Sequence, residues 1–328
     1  MDNTGALFWM GDRLASNCVE ISNDPSSLAK PGFWAVVNTF EGNWICARFA
    51  TVINSPLPEI PWQGITTPWR SSQSKSTYED NVRLIKQKIA DGDIYQVNLC
   101  RILSTDCDQS LQGLAVNLQS NNPAPFASYF KLEDLEIASA SPELFLEKKG
   151  SVIKSTPIKG TAKTDLFGEK DRAENVMIVD LMRNDFGVIC EPGSVDVPRL
   201  LATQSHPGLY HLVSDVVGKL REDVNWPEIA SALLPAGSIS GAPKSSAIKS
   251  IKQIESVERG PYCGVIGWVE NDQALLSVGI RIFWSLADGQ INFGTGAGIT
   301  YQSDPTSEWE ETQLKAARLI AIASGVLV

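Results

Sequence analysis

The chain has 328 residues, with 28 Lys+Arg against 38 Asp+Glu and a formal net charge of −10. Such an acidic surface repels phosphate backbones and argues against nucleic acid as a partner. No apolar run approaches the roughly 18 residues of a membrane span, so no membrane partner is expected. The six cysteines, Cys18, Cys46, Cys100, Cys107, Cys190 and Cys263, contain no C-x-x-C pair, and there are only two histidines, so neither a disulfide framework nor a zinc site is expected. Met1-Asp2-Asn3 carries acid where an export signal carries Lys or Arg, which points to a cytoplasmic protein with reduced thiols.

Strand-like runs at 32–37 and 44–53 come first, too short for a core of their own and therefore expected as strands joined to the main body. A Pro- and Ser-rich linker spans 54–76. Ser76-x-x-Glu79 reads as a capping box. Tyr78, Val82, Ile85 and Ile89 then recur at helical spacing up to a stop at Gly92. A strand at 94–103 and a short helix at 111–118 precede a meander of strands at 126–132, 135–139, 144–147 and 152–155. From 169 the pattern changes to helices at about 170–185, 226–234, 244–256 and 305–323, with strands at 210–219, 262–269, 274–283 and 291–295. Strands and helices mix without βαβ alternation, so the fold class is α+β: large antiparallel sheets packed as a sandwich with helices outside.

Two glycine-rich stretches fail as nucleotide motifs. Gly237 to Ser245 interposes Ala242-Pro243 before Lys244, where a P-loop needs Gly and Lys adjacent, and Gly294-x-Gly296-x-Gly298 lacks the dinucleotide spacing. Both still offer bare backbone N–H groups suited to a carboxylate. Asp171 and Glu174 share a face of one predicted helix, while Glu308, Glu311 and Lys315 line a face of the last. Carboxylates so spaced repel unless a cation intervenes, and hard oxygen donors suit Mg²⁺, although spacing alone also fits a solvated acidic face. Lys159, between Pro157 and Gly160, becomes a nucleophile if burial lowers its pKa, and Glu143 becomes a general acid if desolvated; each is otherwise an ordinary surface or strand-end residue.

With these residues in view the sequence resembles the chorismate-utilising enzymes, and within them component I of the aminodeoxychorismate synthases. The blocks that carry the likeness run in order: Gly92-Asp93-Ile94-Tyr95-Gln96-Val97-Asn98-Leu99, Ser141-Pro142-Glu143-Leu144-Phe145, Pro157-Ile158-Lys159-Gly160-Thr161, and Arg172 to Asp185. After them come Tyr210-His211-Leu212-Val213-Ser214, Gly237 to Lys244, Gly279-Ile280-Arg281, Gly296-Ala297-Gly298-Ile299 and Glu308-x-x-Glu311-Thr312-x-x-x-Lys315. The resemblance implies a chorismate-binding catalytic domain over 75–328 and a shortened N-terminal β segment over 1–70. It implies Glu174 and Glu311 as Mg²⁺ ligands, supported by Glu308 and Asp171. Arg281 and Lys315, with backbone around Gly296, Ala297 and Gly298, would clamp the two carboxylates, and Tyr262, Ser238 and Ser240 would line the pocket. In this family a lysine at position 159 resembles the aminodeoxychorismate branch: Lys159 would add to ring C2 while Glu143 protonates the departing C4 hydroxyl, after which ammonia adds at C4. His211 would bind or polarise the ring.

The implied reaction is chorismate amination at C4, an early step toward p-aminobenzoate and folate, with ammonia from a glutaminase subunit. The alternatives are an anthranilate or isochorismate/salicylate synthase of the same family, or a non-catalytic chorismate-binding protein. The chain departs from the family pattern at Val188, where many members carry Arg, and at Ala162-Lys163-Thr164, which replaces an arginine-containing loop. It also lacks a Leu-Leu-Glu-Ser tryptophan-site motif, so feedback inhibition by tryptophan is not expected.

Overall fold

Tight turns set the pattern from the N-terminus. The computed structural model describes residues 5–162, 164–206 and 209–326. Strands β1 (Leu7–Met10) and β2 (Arg13–Ser22) form a hairpin in which Met10 pairs with Arg13 across Gly11-Asp12. Gly11 takes φ +66°, the left-handed conformation such a two-residue turn requires. Next come β3 (Phe33–Asn38), β4 (Trp44–Asn54), the short β5 (Arg70–Ser71), helix α1 (Lys75–Ala90), β6 (Gln96–Asp106) and α2 (Leu111–Asn121). The meander follows as β7 (Phe126–Lys131), β8 (Glu136–Ser141), β9 (Leu144–Lys149), β10 (Val152–Thr156) and β11 (Ile158–Ala162). Helix α3 (Glu169–Ile189) leads to β12 (Asp196–His206), β13 (Leu209–Lys219), α4 (Trp226–Leu233), α5 (Gly237–Ser240), β14 (Gly241–Ala242) and α6 (Lys244–Ile254). The chain ends with β15 (Val265–Glu270), β16 (Gln273–Val278), β17 (Ile282–Ser285), β18 (Gln290–Ile299) and α7 (Pro305–Ala323).

The ladders form one antiparallel ribbon in the order β12, β13, β10, β9, β16, β15, β3, β4, β2, β1, β7, β8, β17, β18, β6. Beyond β10, β13 is flanked by β11, and at the far end β6 also pairs with β5 and β14. Strands from before residue 70 are thus interior members of the ribbon. One apolar cluster, around Trp34, Val36, Phe130 and Ile266, takes in Tyr78, Val82 and Ile85 of α1 and Val179, Met182 and Phe186 of α3. A second seats Leu111 and Leu114 of α2 and Leu319 and Ile322 of α7 against Tyr129, Phe283 and Phe293. The core is therefore that of an antiparallel β sandwich with helices packed outside, as the sequence pattern predicts. No helix among the described residues is long and apolar enough to cross a membrane.

One helix start differs from the sequence reading. Ser74, not Ser76, caps α1, accepting from the N–H of Thr77 at 3.1 Å; buried Gln73, bonded to the Cys100 carbonyl at 2.9 Å, fixes where the helix begins. Asp304 caps α7, accepting from the Ser307 N–H and the Ser307 hydroxyl at 2.9 Å each. The predicted strand at 274–283 is two strands, β16 and β17, separated by Gly279 to Arg281. Strands β1, β2 and β12 give little signal because alternation is broken. β2 bulges between Cys18 and Glu20, whereas β12 carries Pro198, two register shifts and Leu201 at φ +53°.

Candidate active site

The ribbon's two ends meet at β18. Glycines 294, 296 and 298 lie at alternate positions of that strand, so they share one face and leave it free of side chains. Other groups occupy that space. A Cβ on Gly294 would stand 2.0 Å from the Tyr262 ring, one on Gly296 would stand 2.8 Å from Cys100 Sγ, and one on Gly298 would stand 2.4 Å from Gln96 Nε2 and 4.0 Å from Lys159 Nζ. The spacing that fails as a dinucleotide motif is thus a strand with period 2, and it brings Lys159 of β11 to the edge of β18.

Lys159 donates to the Ser238 carbonyl at 3.0 Å. Desolvation pushes its amine below the usual lysine range, opposed by the nearby charges of Glu174 and Glu143. Glu143 is 4% exposed and is pushed up to about 7, again by desolvation, against the pull of the Ser238 hydroxyl and of Lys159. Both shifts run toward the uncharged form, so burial outweighs the mutual attraction of the pair. The Ser238 hydroxyl is buried and makes no hydrogen bond of normal geometry among the described residues, yet it favours the ionised form of the Glu143 carboxyl. The backbone of Glu143 is fixed by its N–H to Ser141 Oγ at 3.3 Å and by the Val278 N–H to its carbonyl at 3.0 Å.

Groups suited to anions surround this pair. Arg281 sits at φ +52° before β17, its carbonyl held by the Ala140 N–H at 3.0 Å; its guanidinium makes no hydrogen bond or ion pair among the described residues, yet its charge acts on Glu143. β17 pairs with β18 only at Trp284↔Asn292 and Phe283↔Phe293, so beyond 293 that edge of β18 carries no strand among the described residues. The Gly296 carbonyl accepts from Lys315 Nζ at 3.1 Å on this edge. In a strand the N–H and C=O of a residue point the same way, so the Gly296 and Gly298 N–H groups also face it, while Ala297 faces β6.

The carboxylates sit on facing helices. Glu174 of α3 and the 4%-exposed Glu308 of α7 each lie 3.9 Å from Lys170 Nζ, and Glu308 also accepts from Ser303 Oγ at 2.5 Å. Glu311 pairs with Lys315 at 2.6 Å. Desolvation raises the pKa of Glu174 and of Glu308, and the charge of Glu311 raises both further. Asp171 turns back to accept from the Gly168 N–H at 3.1 Å, capping α3, while its charge also acts on Glu174. No three of these carboxylates converge into a metal cage among the described residues. The donor set nonetheless fits magnesium, which binds through one or two carboxylates and keeps waters, and a cation already lies between Glu174 and Glu308.

The remaining candidates are placed differently. His211 is buried on β13, opposite Thr161 of β11 and Gln204 of β12. Ser240 bonds the Ala236 carbonyl within its own helix. Lys244 reaches Asp185 at 2.6 Å and the carbonyls that end α4, so its amine is a structural brace. Val188 is exposed near the end of α3, and Lys163 lies outside the described residues.

A family model for chorismate binding enzymes matches residues 38–321. The chain belongs to this family. Aminodeoxychorismate synthase component 1 of Klebsiella aerogenes is 34% identical over 84% of the chain and 64% of its own length, and anthranilate synthase component 1 of Saccharolobus solfataricus is 36% identical over 76% and 62%. The chain therefore spans under two thirds of these curated relatives, and proteins named for two different reactions are about equally similar. The crystal structure of anthranilate synthase component I from Streptococcus pneumoniae superposes with a TM-score of 0.84 at 22% identity, covering 98% of this chain and 93% of that one, which establishes the shared fold.

Within this chorismate-binding fold three residues hold the site together without having been singled out from sequence. Buried Gln96 lies over Gly298 beside Lys159, with its Oε1 unbonded among the described residues. Asn175, fully buried next to Glu174, donates to the Leu212 carbonyl at 3.2 Å and accepts from Ser214 Oγ at 2.5 Å, tying α3 to β13. Arg101 is 2% exposed. It bonds Thr312 and Gln313 at 2.9 Å each and lies 4.3 Å from the Trp309 ring, which fixes α7 and its glutamates against β6. Gln96 and Asn175 stand inside quoted blocks. Arg101 offers no local signal, because its partners on α7 are more than 200 residues away.

Proposed function

We propose that this chain aminates chorismate at C4 to give 4-amino-4-deoxychorismate. The observation that carries the reading is the buried pair of Lys159 and Glu143, a lysine shifted toward its neutral amine beside a carboxyl that holds its proton up to about pH 7. The amine of Lys159 adds to ring C2, the ring double bonds shift, and the C4–O bond breaks as Glu143 gives its proton to the departing hydroxyl, releasing water. Ammonia then forms the C4–N bond, the C2–Nζ bond breaks, and Lys159 leaves as a neutral amine.

Arg281, lacking an ion pair of its own among the described residues, and the open N–H groups of Gly296 and Gly298 suit the two carboxylates of the substrate. Glu174, with Glu308 and Glu311, would hold magnesium, which when bound neutralises a ring carboxylate. Lys315, bonded to the Gly296 carbonyl and to Glu311, orients the anion edge relative to the metal side. Ammonia would come from a separate component, on this reading a glutaminase; the words "component 1" in the relatives' names support a partner component of some kind.

Incubation with chorismate, Mg²⁺ and ammonium, followed by mass spectrometry, tests the reading. The expected product is the 4-amino compound; anthranilate, isochorismate or salicylate would overturn it. Without ammonia, an adduct of chorismate minus water is expected on the Lys159 peptide.

A further inference from the structure

Lys170 occupies an unfavourable place on its helix. It stands in the first turn of α3, where the helix dipole presents partial positive charge and cations are disfavoured. Two carboxylates offset that cost. Its ammonium is 3.9 Å from Glu174 Oε1 on its own helix and 3.9 Å from Glu308 Oε1 on α7, and the charge of Lys170 acts on both to favour their ionised forms against desolvation. The link joins the two helices whose carboxylates face each other across the site.

We propose that Lys170 is a resident counter-ion which a divalent cation must displace from between Glu174 and Glu308, so that this lysine sets the metal affinity of the site. The inference rests on the magnesium reading above. A metal bonded to either carboxylate stands about 2.0–2.1 Å from its oxygen and so claims the space the ammonium faces. Two cations in that space repel, and Lys170, whose side chain is half exposed, is free to swing into solvent on its flexible stem. The lysine therefore keeps α3 and α7 paired before metal arrives and competes with the metal afterwards.

The test uses the whole chain without substrate, with Mg²⁺ alone as the probe. Isothermal titration measures its affinity, and thermal unfolding is followed with and without it. Lys170→Met keeps the aliphatic stem and removes the charge. It should tighten Mg²⁺ binding about twofold to fivefold, the range expected for a half-exposed ion pair. Without metal it should lower the unfolding midpoint by roughly 1–2 °C, and saturating Mg²⁺ should abolish or reverse that loss. Lys170→Arg should restore the parent affinity. A merely structural role for Lys170 would lower the midpoint equally with and without metal. Binding that Glu174→Gln abolishes and Lys170→Met leaves unchanged or weakened overturns this proposal while the metal reading stands; no Mg²⁺ binding by parent or Lys170→Met overturns both.

Discussion

Two groups of carboxylates face the same cleft and solve the problem of burial in opposite ways. Glu143 is almost wholly buried, beside an amine that is itself shifted toward neutrality, so the pair is held near its uncharged state. Glu174 and Glu308 are desolvated as well, but both have the Lys170 ammonium within 4 Å, and the half-exposed Glu311 beside them pairs with Lys315. Burial without a full counter-charge prepares a group to move protons, whereas burial with one prepares it to hold a cation. On the proposed function one cleft thus carries an acid and a nucleophile on one side and a charge-holding site on the other.

Breaking the uncharged pair should have the largest effect. Lys159→Ala should abolish the ammonia-free adduct and cut amination by about 10²-fold to 10⁴-fold, as should Glu143→Gln, which lacks the proton the leaving hydroxyl needs. Amination by the parent should fall as pH rises through about 7, where Glu143 ionises, and Glu143→Gln should lose that limb from its residual rate. An unchanged rate in Lys159→Ala would make the lysine an electrostatic pocket residue only. On the other side, Glu174→Gln should remove magnesium dependence and most turnover while the protein stays folded, because it relieves repulsion among the carboxylates; near-normal magnesium-dependent activity would refute the metal assignment.

The elements that carry this contrast were unevenly legible. Helices α1, α3 and α7 and the strands of the meander declare themselves through apolar periodicity, because each buries one face against the ribbon. The glycine stripe of β18 was visible as a pattern, yet its meaning depends on Tyr262, Cys100 and Gln96 filling the space it leaves. The contact between Lys159 and Gly298 joins opposite ends of the ribbon, and no local spacing encodes it. Glu308 was placed in a supporting role, but it shares Lys170 with Glu174 at the same 3.9 Å, and ion pairing between helices is a tertiary fact.

Smaller effects sharpen the comparison. Asn175→Ala should cost about 1–3 kcal/mol of stability, since it removes a donor from the Leu212 carbonyl and leaves the Ser214 O–H without its acceptor in a buried place. It should lower turnover as well, by loosening Glu174 next to it; denaturant unfolding with product assays separates the two effects. Glu143 also makes a signed prediction about stability. Its folded pKa of about 7 lies above the 4.5 of the unfolded chain, so the folded state binds more protons between those values and stability falls as pH rises through that window. Glu143→Gln should flatten this part of the profile, and an unchanged slope would show that the carboxyl is not held neutral.

The smallest effect separates the Ser238 hydroxyl from the Ser238 carbonyl. The hydroxyl is buried, makes no hydrogen bond among the described residues, and favours the ionised form of Glu143; the carbonyl accepts from Lys159 and survives substitution. Ser238→Ala removes a polar atom that gains no bond in return, so folding stability should hold or rise slightly. Losing its pull on the carboxylate should move the pH at which amination declines upward from about 7. The rate below pH 6 should match the parent, because Glu143 is protonated there in both proteins. A pH profile of Ser238→Ala that shifts downward would mean that the hydroxyl favours the protonated carboxyl, accepting from it, and the pull that opposes desolvation at Glu143 would then rest on Lys159, the Ile158 backbone and Arg281.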